Sequence, residues 1–122
     1  MSNQTEYIAA VYRRNPNANS ATVDRLASLA RSLHRMYVND CNGYQDWRGE
    51  YDEKAEKRAE KRKARLEAEA EKLAMELGAI LYTQGDPRGW PLFLYFPGDI
   101  SEHTLSAACA DGGYHGVGIP PR

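Results

Sequence analysis

The stretch from Tyr51 to Leu77 constrains this 122-residue chain most. It contains neither Gly nor Pro and is dense in Ala, Glu, Lys and Arg. Such a run favours one helix of about 27 residues, or roughly 40 Å at 1.5 Å per residue, with Gly78 as its stop. Its two halves differ. Leu66, Ala70, Leu73 and Leu77 repeat at 4-3-4 spacing, so the second half has a face to bury. The first half, 51–65, offers only alanines as apolar contacts. Charge pairs such as Glu53 with Lys57 and Glu60 with Lys63 support it instead. We expect that half to project into solvent or to wait for a partner.

An earlier amphipathic helix is expected to begin near Ser20, capped by Asn19 or Ser20. Val23, Leu26, Ala30, Leu33 and Tyr37 form its stripe, widened by Leu29 and Met36. It should end among residues 39–43, and GYQDWRGE (43–50) reads as a linker. Residues 1–18 read as a flexible lead-in closed by the turn-rich NPNANS, with YIAAVY able to form a helical turn or an edge strand.

After Gly78 the period changes. AILYT and WPLFLYF are aromatic- and branched-rich strands, with GDPRG between them as a hairpin connection. Residues 100–110 are ambiguous between a short helix and a loop with a strand, and 114–119 is a last strand. The expected fold is α+β. Two helices, the second long and charged, precede a small antiparallel sheet of about three strands whose apolar face sits on them. Residues 19–122 form a single domain.

SLHRMYVNDCNG, the charged helix ending LAMELG, YTQGDPRGWPLFLYF and GYHGVGIPP together resemble a family of short uncharacterised proteins of bacterial viruses and prophages. The resemblance spans roughly residues 26–119, and the QGDPRG turn is its most specific part. Trp90 and Pro91 after the turn make the strand entry here unusual for that pattern. No activity carries over from the resemblance. It implies an accessory or host-takeover role, inhibition of a host defence or host enzyme included, in the cytoplasm of the host cell.

The formal charge of −1 excludes a molecule-wide basic field. The absence of a long apolar run argues against a membrane partner, and the N-terminus does not read as a secretory signal. Locally, Lys54, Lys57, Arg58, Lys61, Arg62, Lys63 and Arg65 face only Glu56 and Glu60 between positions 54 and 65. Lys54, Arg58, Lys61, Arg62 and Arg65 gather on one side. They are candidate contacts for nucleic acid or for an acidic protein, although a solvated helical face has the same composition.

The elbow is a second candidate surface. Tyr82, Gln84, Asp86, Arg88 and Trp90, joined by Tyr114, would ring a rigid tip with residue types that often carry interface energy. A plain register-setting turn is the alternative. His34 and Cys41, with Cys109, His103 and His115, lack the pairing that a four-ligand zinc site needs, so no metal or cofactor is expected. Cys109 with a histidine, or Asp86, would be the centre of a small enzyme if there is one. The leading expectation is a non-catalytic protein that binds a host or viral protein. Nucleic-acid binding through 54–65 is the alternative. A homodimer would cover any aliphatic surface that the small sheet leaves bare.

Overall fold

A computed structural model describes residues 3–41, 43–83 and 90–121. The elements, in order, are α1 (Asn3–Arg14), α2 (Ser20–Cys41), α3 (Glu53–Glu76), β1 (Ile80–Tyr82), β2 (Leu92–Tyr95), α4 (Leu105–Asp111) and β3 (Val117–Ile119). The strands form one antiparallel sheet in the order β1-β2-β3. The architecture is α+β, with four helices among the described residues where two were expected.

β2 is buried along its whole length. Side chains alternate across a strand, so both faces of the sheet must be covered. On one face, Leu81, Leu92, Leu94, Val117 and Ile119 join the main core with α1, α2 and α3. On the other, Tyr82, Phe93 and Tyr95 pack with Ala108 of α4, flanked by Ile80, Trp90 and Ile100. The expectation of a single apolar face is thereby corrected. WPLFLYF is continuously apolar because it has no solvent side.

The ambiguous segment 100–110 resolves as α4. Thr104 caps it by accepting from the Ala107 N–H, and Gly112 ends it in the left-handed conformation at φ 65°. Asp111 at its last turn accepts from the Tyr95 hydroxyl at 2.5 Å, while that hydroxyl accepts from the Gly113 N–H at 2.7 Å. The one polar atom of a fully buried tyrosine is thus satisfied, and α4 is tied to β2.

The lead-in expectation is also corrected. Residues 3–14 are helical, and Tyr7 and Val11, four apart, are buried in the main core. The Tyr7 hydroxyl donates to the Val23 carbonyl at 2.9 Å. Burial, helped by the nearby Asp24 charge, pushes the Tyr7 pKa well above the usual phenol value. At the other end Arg14 pairs with Asp99 at 2.8 Å, and the Asn15 side chain donates to the Leu77 carbonyl at 3.0 Å. α1 is therefore anchored to α2, to the end of α3 and to the turn after β2.

α2 and α3 pack together and are also joined by a forked ion pair, Arg25 Nε to Glu69 Oε2 at 2.5 Å and Nη2 to Oε1 at 3.0 Å. α3 starts behind Asp52, whose side chain accepts from the Ala55 N–H. It ends at Leu77, where the Ala79 N–H reaches back to the Ala74 carbonyl across Gly78 at φ 78°.

If α1 is docked as described, Tyr7→Phe should cost about 1 kcal/mol in chemical denaturation, the value of one buried hydrogen bond. Ile8→Ala, at an exposed position of the same helix, should stay within about 0.5 kcal/mol of wild type. Equal, negligible effects would restore the mobile lead-in.

Candidate functional site

The four-residue strand β2 is about 13 Å long, whereas α3 with its 24 residues is about 36 Å. The helices therefore outrun the sheet. In α2 the last buried residue of the described stripe is Leu33, and Tyr37 and Val38 further along are 49 % and 45 % exposed. In α3 nothing is buried before Leu66. Half-buried Ala55 and Ala59 extend the inward line of that helix. The ends of α2 and α3 thus make a helical hairpin that stands clear of the core.

Its tip is ordered by Asp46. The Asp46 carboxylate accepts from the Arg48 and Glu50 N–H groups at 2.8 and 3.0 Å, and the Asp46 N–H donates to the Glu50 carbonyl at 2.6 Å. These bonds, with Gly49 at φ 79°, close a small turn, and Gln45 bridges Tyr51 behind it. The hydrogen bonds, first that with Glu50, hold the Asp46 carboxyl below its ordinary range. The turn displays Trp47 at 91 % exposure, with the Arg48 guanidinium 5.4 Å from its ring centroid, and Tyr51 at 61 %. GYQDWRGE is therefore an ordered turn with exposed aromatic side chains, where the sequence suggests a linker. An Asp three residues ahead of a Gly was the signal for it.

Below the tip the charges of α3 are segregated. Lys54, Arg58, Lys61, Arg62 and Arg65 are all exposed. At 3.6 residues per turn they fall within an arc of about 100° and run for about 16 Å. Among the described residues no carboxylate lies within ion-pair distance of any of the five. The other two cations of the segment are the paired ones, Lys57 with Glu53 at 3.1 Å and Lys63 with Glu67 at 3.9 Å. The latter replaces the expected Glu60–Lys63 pair. Glu53, Glu56, Glu60, Glu67 and Glu71 occupy a separate arc of about 60° on the helix. The last three of these glutamates border a 560 Å³ groove between α3, β1 and Leu105.

The elbow residues Gln84, Asp86 and Arg88 lie outside the described residues. Tyr82 does not ring a surface tip. It is 8 % exposed, with its ring 6.0 Å from Phe93 and 6.5 Å from Tyr95. Trp90 is half-buried over Gly118, where an added Cβ would fall 2.7 Å from its ring. Tyr114 is exposed and edge-on to His115 at 4.7 Å. The three described members, Tyr82, Trp90 and Tyr114, therefore do not form one exposed patch.

Cys109 is exposed and has no hydrogen-bond partner among the described residues. His103 Nε2 donates to the Tyr95 carbonyl at 2.8 Å, and His115 Nδ1 donates to Asp111 Oδ1 at 2.5 Å. Each acceptor has no proton to give, which settles the donating nitrogen. Neither ring pairs with the thiol. No group of three His, Cys, Asp or Glu side chains among the described residues could hold a metal, and no described helix is long and apolar enough to cross a membrane. No protein-family model, curated protein or solved structure matches this chain.

Burial raises the Asp111 carboxyl, but bonds from the His115 N–H, the Tyr95 hydroxyl and the His115 ring outweigh it and bring the pKa to about 2 from 3.8. A depressed folded pKa stabilises the fold fully above the unfolded value and loses that contribution as pH falls through the folded one. The stability advantage of wild type over Asp111→Asn should therefore shrink as pH falls from about 4 to 2. Denaturation midpoints across that range would check this, and an unchanged advantage at pH 2 would refute it.

Proposed function

We propose that this chain is a non-catalytic binding protein that works through the α2–α3 hairpin, and that its ligand is nucleic acid. The observation that carries this reading is the row of five unpaired cations. A helix stabilised only by its own charge pairs intersperses opposite signs at three- and four-residue spacing. Here two cations follow that plan and five do not. A row of cations without internal partners suits a phosphate backbone, which releases counterions on binding.

A second reading has a host or phage protein as the partner, in keeping with the resemblance to proteins of bacterial viruses. It is favoured by the exposure of Trp47 and Tyr51, residue types that anchor protein interfaces. Inhibition of a host factor would then be a stoichiometric act of the tip.

The two readings separate by salt and by charge. Fluorescence anisotropy with labelled oligonucleotides should show tight binding at low salt. The slope of log K against log salt should approach about −3.5 on single strands if all five cations reach phosphates. Lys61→Glu with Arg62→Glu should abolish the binding. No anisotropy change with duplex or single strands at low salt would remove nucleic acid. The protein reading would then be tested by capture from host lysate with wild type, Trp47→Ala and Arg88→Ala, and equal recovery by all three would remove both the tip and the elbow.

A further inference from the structure

Resting on the nucleic-acid reading above, we infer that the ligand is a single strand, with its phosphates along the cation row of α3 and unpaired bases stacked on Trp47 and Tyr51.

Two features of the hairpin select a single strand over a duplex. The first is the flank of α3. A helix laid in the major groove has a phosphate backbone on each side. With Lys54, Arg58, Lys61 and Arg65 facing one backbone, the arc of Glu53, Glu56 and Glu60 turns toward the other. Like charges there oppose insertion. A single strand following the cation row has no second backbone to bring near the glutamates. The second is the tip. Trp47 and Tyr51 are large, exposed planar side chains just ahead of the cation row in the chain, in and beside a turn that the Asp46 carboxylate ties down. A duplex has its base faces already stacked and offers them nothing flat. A single strand offers a free face at every nucleotide, and rings beside a basic track are the usual means of holding it without regard to sequence. The Arg48 guanidinium near the Trp47 ring is paired with Asp46 and Glu50 at 3.3 Å, so the ring and not the charge is what the tip offers a base.

The test compares an oligo-dT strand of about twenty nucleotides with a duplex of equal length, by anisotropy and by tryptophan fluorescence, at one low salt concentration. Wild type should prefer the strand at least tenfold, and the strand should quench tryptophan emission. Trp47→Ala should lose most of that quenching and weaken strand binding by about 5- to 100-fold, the usual loss for one stacked base. Its salt slope should stay that of wild type, because no charge is removed. Its unfolding curve should also be unchanged, since a side chain 91 % exposed contributes little to the core. Equal affinity for strand and duplex, or a Trp47→Ala protein that binds as wild type, overturns the single-strand inference. If Lys61→Glu with Arg62→Glu still abolishes binding in that case, the broader reading stands. No binding of wild type to either nucleic acid overturns both.

Discussion

The burial of β2 on both faces is the constraint from which the arrangement follows. Leu92 to Phe96 presents no exposed side chain, so two separate covers are required. Three helices supply one and α4 the other. The sheet they cover is three strands wide and at most four residues long, which is too small to occupy helices of 22 and 24 residues. Their surplus length has to go somewhere, and it leaves the body as a hairpin. The projection is thus a consequence of a mismatch between helix length and sheet size.

Once clear of the core, the hairpin draws on local interactions beside the packing of α2 on α3. Asp52 caps α3, Asp46 ties the turn, and the Glu53–Lys57 pair supports the first turns of the helix. The Asp52 cap is worth about 1 kcal/mol, and an exposed ion pair such as Glu53–Lys57 contributes less. None of these needs five unpaired cations on one arc, which add mutual repulsion to an already solvated segment. That cost is sensible if the charges meet a partner. The same reasoning lowers the standing of the sheet side as a site. Tyr82 and Trp90 are occupied with packing, and the histidines and Asp111 hold the second cover in place.

Much of this was legible in the residues. The stripes of α2 from Val23 to Leu33 and of α3 from Leu66 to Leu77, the two aromatic strands and the antiparallel sheet follow from periodicity. So does the change at position 66 from solvated to packed helix. What escaped did so for physical reasons. α1 buries mainly Tyr7 and Val11, and these sit in the unbroken apolar run YIAAVY, which marks no helical period. α4 is short and built of small residues, of which Ala108 packs with Tyr82, Phe93 and Tyr95, and one buried alanine leaves no hydrophobic pattern. The second cover of the sheet then went unseen, and with it the burial of Tyr82. The tip reads as a linker in the sequence because its order comes from one carboxylate. The five cations are plain in the sequence, but their lack of partners is a property of three dimensions.

Hydrogen–deuterium exchange on the intact chain, with and without a saturating oligo-dT strand, tests the central claim most directly. If the hairpin is the binding surface, added protection should fall on residues 44–65 and leave β2, α4 and β3 as they were. Protection confined to the sheet and α4, or none at all at low salt, would contradict it.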